Sequence, residues 1–78
     1  MKLDLHGLTI HDAWKRFHPW IYVQQNDPNT KSVIVVTGQG EIHKELPRWC
    51  DEMNFVRQID SLASAGAYQI YFYKKRRE

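Results

Sequence analysis

Val33-Ile34-Val35-Val36 places four β-branched apolar residues in a row, and they run straight into Thr37-Gly38-Gln39-Gly40 before a stretch of helical character. A segment apolar on both faces suits a strand buried from both sides, and Val and Ile fit a pleated surface, so Ser32 to Val36 is read as the central strand. Gly38 and Gly40 free the backbone where that strand ends. Glycine adopts positive φ and carries no Cβ, so a ligand can approach the main chain closely. The first amides of the following helix then point at an anion, with phosphate the natural candidate.

The rest of the chain is read around this strand. Lys2 to His6 alternates, with Leu3 and Leu5 on one face and Asp4 and His6 on the other, the period of a short strand that Gly7 ends. Thr9 is a helix cap, Asp12 sits in the first turn, and Ile10, Ala13, Trp14, Phe17 and Ile21 recur at helical spacing. This predicts a helix from about Thr9 to Val23, bent by Pro19 at the loss of one hydrogen bond. Asn26-Asp27-Pro28-Asn29 is a turn-rich loop. A second helix is expected from about Glu41 to Met53, kinked or tightened before Pro47. Phe55 to Ile59 reads as a third strand, Asp60 to Gly66 as a connection, and Ala67 to Tyr73 as a fourth strand.

The expected fold is therefore α/β, a two-layer sandwich in the order β-α-β-α-β-β, with a four-stranded mixed sheet and two helices packed on it. A strand-helix-strand crossover makes the first two strands parallel, and the last two form a hairpin. Parallel strands put Asp4-Leu5-His6-Gly7 and Thr37-Gly38-Gln39-Gly40 at carboxyl ends on one edge of the sheet, where open α/β sheets bind ligands. Two motifs thirty residues apart would share one cleft.

With both motifs on that edge, Leu3-Asp4-Leu5-His6-Gly7 and Thr37-Gly38-Gln39-Gly40 resemble the Smr (small MutS-related) domain family. Leu8-Thr9-Ile10-His11-Asp12-Ala13, Leu46-Pro47-Arg48-Trp49 and Gly66-Ala67-Tyr68-Gln69-Ile70-Tyr71 resemble family segments at corresponding places, so the likeness covers essentially the whole chain. It implies a four-stranded sheet with two helices against it, nucleic-acid binding, and endonuclease or nicking activity on DNA or cleavage of RNA. The family's functional residues carry over to Asp4 and His6, and to Thr37, Gly38 and Gly40. One departure is that Glu41 and Ile42 follow Gly40 where family members often have a further glycine. A carboxylate there competes with phosphate for the positive end of the helix dipole. Smr domains are frequently part of a longer protein, and the sequence leaves open whether this one stands alone.

At 78 residues the chain has room for one small domain, taken as residues 1–78 with the basic run Lys74 to Arg77 as a mobile tail that adds salt-sensitive attraction to a phosphate backbone. An apolar fraction of 42% argues for a folded globule, and a net charge of +2 does not by itself demand a polyanion. One cysteine, Cys50, excludes an intramolecular disulfide and fits a reducing compartment. Asp4 and His6 interrupt the start of any signal peptide, and no apolar run is long enough to span a membrane. A cytoplasmic, monomeric protein is expected, alone or within a larger assembly.

Among the candidate residues, His6 stands two from Asp4 on a strand, so the carboxylate can fix the imidazole tautomer and raise its basicity. His6 is expected to act as general base toward water or an RNA 2′-hydroxyl, with Asp4 orienting it or helping to hold a divalent metal, magnesium or manganese, for which no ligand motif is present. The ordinary alternative is a strand-end histidine satisfied by a carbonyl. The loop Thr37, Gly38, Gln39 and Gly40 is the expected phosphate cradle, although a tight turn alone would also place two glycines there. It is no P-loop, since no Gly-Lys-Ser/Thr follows. Lys44 and Arg48, four apart on the second helix, can share a face and reach a phosphodiester, or simply be solvated. Tyr71 and Tyr73 beside Lys75 can stack bases over a basic edge, or reflect strand propensity. His11, His18 and His43 show no metal spacing. A non-catalytic module that selects DNA or RNA structure, and a small-metabolite phosphate binder or hydrolase, stay open beside the endonuclease.

Overall fold

The computed structural model describes residues 1–62 and 66–73. The elements are β1 (Lys2–Asp4), α1 (Ile10–Asn26), β2 (Ser32–Val36), α2 (Glu41–Asp51), β3 (Val56–Leu62) and β4 (Ala67–Phe72). The sheet runs β1-β2-β4-β3, with β1 parallel to β2 and β4 antiparallel to both of its neighbours. β3 is therefore parallel to β2, and β2-α2-β3 is a second crossover that steps over the strand inserted between them. Both crossovers advance across the sheet in the same direction, so their shared handedness lays both helices on one face. The result is the expected two-layer sandwich with a mixed sheet.

Between the layers lies one apolar cluster, in which Leu5, Phe17, Ile21, Val33, Val35, Leu46 and Ile70 are fully enclosed. Phe17 and Ile21 come from α1, Leu46 from α2, and the alternate residues Val33 and Val35 from β2, as helical and strand periods require. The tryptophans cover its rim: Trp14 meets Trp49 edge-on at 5.2 Å, and Phe17 lies 5.6 Å from Trp49. No helix among the described residues is long and apolar enough to cross a membrane.

Several boundaries differ from the sequence reading. β1 ends at Asp4 rather than His6, because the His6 amide turns back to the Asp4 carboxylate at 3.0 Å instead of extending the ladder. α1 begins after Thr9, whose hydroxyl accepts from the Asp12 amide at 3.1 Å, and it continues through Pro19 to Asn26. α2 stops two residues short of Met53, which is nonetheless buried. β3 runs on to Leu62, with Asp60 opposite Gln69 and Ser61 opposite Tyr68, so the first three residues of the expected connection are strand. Its polar residues hid it: an edge strand is solvated enough to lack the apolar alternation used to recognise it. Tyr73 falls just beyond β4, and its amide bonds the Phe55 carbonyl at 3.1 Å. The basic run from Lys74 lies outside the described residues.

Candidate functional site

Register brings three turns to one rim. Asp4 pairs with Val36 across the parallel ladder, and Val36 pairs with Ala67 across the antiparallel one. The residues after Asp4, those after Val36 and those before Ala67 therefore meet at the same sheet edge. Gly7, Gly38 and Gly66 sit in these turns with φ of +85°, +76° and +59°, and they are the only residues of positive φ among those described. A Cβ on Gly38 would lie 3.4 Å from the Cβ of His6, so the two motifs touch with no side chain between them.

His6 and Asp4 form a defined pair. The His6 ring Nδ1 lies 2.8 Å from Asp4 Oδ1, and the His6 backbone N–H donates to the same oxygen. A carboxylate only accepts, so Nδ1 carries the proton and Nε2 is the basic nitrogen of the neutral ring. Both side chains are open to solvent, His6 at 67% and Asp4 at 59% exposure. The His6 ring, then its backbone N–H, hold the Asp4 carboxyl below the usual carboxylate range, so Asp4 is ionised at neutral pH.

The glycine loop is organised differently from expectation. The Gly66 carbonyl accepts from both the Thr37 amide at 2.8 Å and the Gly38 amide at 2.9 Å. The Gly38 N–H is thus committed inside the protein and does not face a ligand. Thr37 is 3% exposed, and its hydroxyl lies 2.8 Å from the Gly38 carbonyl, 3.1 Å from the Gly66 carbonyl and 2.8 Å from His43 Nδ1. That hydroxyl shapes the loop and is not presented to a phosphate. What the loop presents instead is the start of α2: Gly40 is its N-cap without a capping side chain, and the first-turn amides of any α-helix lack intrahelical acceptors. Gln39 and Gly40 are exposed beside them. Glu41 stands in that first turn, where it competes with a bound anion.

The remaining expected contacts spread away from the rim. Lys44 is exposed on the second turn of α2, whereas Arg48 lies about 10 Å further along than Glu41 and bonds Glu45 at 3.3 Å. Tyr71 and Tyr73 sit at the far end of β4, with Tyr71 about 13 Å from Ala67 along the strand, so one phosphate cannot touch them and His6 together. The Arg57 guanidinium covers the Tyr71 ring at 5.4 Å. Lys75 lies outside the described residues. Among the described residues no three His, Cys, Asp or Glu side chains converge to hold a metal ion, and Asp4 Oδ1 is engaged by His6. No chemical step is therefore routed through a metal.

His43 is the residue that sequence reasoning passed over. It occupies the third position of α2, from which a side chain reaches back toward the preceding turn, the geometry exploited by a capping box; that position was the available signal. Its ring stacks on Tyr68 at 4.5 Å and 21°, and the Tyr68 hydroxyl donates to the His43 carbonyl at 2.9 Å. Burial, then the neighbouring Cys50, push the Tyr68 phenol up, which keeps that donor protonated.

Compared with known proteins, residues 3–69 match the family model described as the Smr domain. No curated protein and no solved structure matches the chain.

Proposed function

Because the chain belongs to the Smr domain family, which carries nucleic-acid association with it, we propose that it is an endonuclease that cleaves a phosphodiester at the rim shared by His6 and the start of α2. The observation that supports this most is the His6–Asp4 pair: Nδ1 is tied to a carboxylate, the ring is exposed, and it lies against the loop that leads into a helix N-terminus. Nε2 takes the proton from the attacking water or, on RNA, from the 2′-hydroxyl. The amides at Gly40, Glu41 and Ile42 stabilise charge developing on the phosphate oxygens. Thr37 and Gly38 give the loop its shape. A general base of this kind contributes roughly 10²–10⁴-fold.

A binding module without chemistry is the second reading, and Glu41 favours it, since a carboxylate in the first turn of α2 weakens the anion site on which catalysis would draw. Incubation with supercoiled plasmid, branched DNA and structured RNA, with and without chelator, separates the two. Cleavage that falls at least a hundredfold in His6→Ala while binding persists supports the endonuclease. Undiminished cleavage by His6→Ala overturns the assignment of the base, and binding without cleavage by the natural sequence leaves the module. A 2′,3′-cyclic phosphate end on cut RNA identifies the 2′-hydroxyl as nucleophile.

A further inference from the structure

The Thr37 hydroxyl has one proton and two acceptors to choose between before His43 is considered. The carbonyls of Gly38 and Gly66, at 2.8 Å and 3.1 Å, can only accept. If the proton went to His43 instead, a hydroxyl oxygen bearing only lone pairs would face two carbonyl oxygens in a residue that is 3% exposed. The proton therefore goes to a carbonyl, and His43 Nδ1, 2.8 Å away, must donate. His43 thus supplies the second half of the Thr37 bond pattern. Its ring is fixed from two sides, by the stack on Tyr68 and by the Tyr68 hydroxyl on its own carbonyl.

We infer that His43 is a positioning residue for the phosphate loop: through an Nδ1–H bond to Thr37 it locks the end of β2 to the first turn of α2, and so sets where the α2 amides lie relative to His6. The inference rests on the proposed endonuclease reading for its functional consequence, but not for its geometry. Thr37, Gly38 and Gly66 are one bonded unit, and Gly38 packs against His6. Without the His43 donor a buried hydroxyl oxygen loses its partner, and the loop is free to shift within that unit.

Three substitutions separate positioning from simple packing. Asparagine places an amide N–H near the Nδ1 position, glutamine places it near Nε2, and phenylalanine keeps the ring on Tyr68 without any donor. His43→Asn is expected to retain cleavage within about twofold of the natural sequence, whereas His43→Phe and His43→Gln lose about tenfold in kcat with folded far-ultraviolet spectra. Long-range proton–nitrogen NMR on the natural sequence should show neutral His43 as the Nδ1–H tautomer. Should the natural sequence cleave nothing, the endonuclease reading fails alone: the tautomer and the Gly38 and Gly40 amide signals, displaced in His43→Phe and restored in His43→Asn, still decide this inference. An Nε2–H tautomer, amide signals unmoved in His43→Phe, or losses of activity in all three variants that merely follow thermal stability would overturn it.

Discussion

Replacing Gly66 by alanine tests whether the rim is held by backbone packing. Two costs follow from the structure. At φ +59° a side-chain-bearing residue in the left-handed region loses roughly 1–2 kcal/mol. The new Cβ would also stand 3.1 Å from the Cα and carbonyl carbon of Gly38 and 3.2 Å from its oxygen, where carbon contacts are optimal at about 3.5–4.0 Å. Those atoms are backbone, so relief requires moving a loop whose Thr37 and Gly38 amides bond the Gly66 carbonyl, and loosening one such bond costs about 1 kcal/mol. The total is about 2–4 kcal/mol, a large share of the roughly 4–12 kcal/mol that a domain of this length has available. Gly7→Ala supplies the control, since Gly7 has φ +85° and nothing within 4 Å of an added Cβ. It bears only the conformational cost, about 1–2 kcal/mol. Urea unfolding followed by the fluorescence of the Trp14–Trp49 contact measures both, and thermal midpoints should fall by about 10–25 °C for Gly66→Ala and about half that for Gly7→Ala. Asparagine tolerates left-handed φ but still carries a Cβ. If Gly66→Asn restores the natural stability, or if Gly66→Ala is no worse than Gly7→Ala, backbone approach is not what the position requires.

Three further outcomes are expected. Thr9→Ala removes the cap on the Asp12 amide and should lower stability by about 1 kcal/mol in urea titration, with cleavage per folded molecule unchanged. Burial pushes the Cys50 thiol up from 9.0 to about 12, so folded protein should resist iodoacetamide at pH 8 and react once unfolded. Because that value is raised in the folded state, its stabilising effect is complete below about pH 9 and is lost as pH rises toward 12, which alkaline unfolding curves will show or refute. Asp4 has the opposite sign: its lowered value makes its contribution complete above the ordinary 3.8 and lost only as pH falls through the depressed midpoint, so carboxyl NMR should place that midpoint below 3.8, and Asp4 should supply no activity transition near neutrality.

Local pattern and chemistry carried the sequence a long way. The apolar run of β2, the alternation of Lys2 to His6 and the helical spacing of Ile10, Ala13, Phe17 and Ile21 each declare an element, because burial imposes a period on the residues that undergo it. Parallel pairing then follows from the length of the crossover, and with it the meeting of the His6 and Gly38 turns. The His6–Asp4 pair was expected from a shared strand face, whereas the structure makes it in the turn after β1, where the His6 amide and ring both meet Asp4 Oδ1.

The uses of Gly66 and His43 were not legible, because each depends on a partner whose position is set by sheet order. Inserting β4 between β2 and β3 carries Gly66 to the rim, where its carbonyl takes the Gly38 amide that the sequence had assigned to phosphate. The same insertion puts Tyr68 beneath the His43 ring, 25 residues away along the chain. Sequence alone determined the order of strands and helices and which two motifs share an edge, since those follow from residue periods and connection lengths. Only the tertiary structure decided which backbone and side-chain groups at that edge bond one another and which face outward, because a donor is committed by whatever acceptor the fold brings within 3 Å of it.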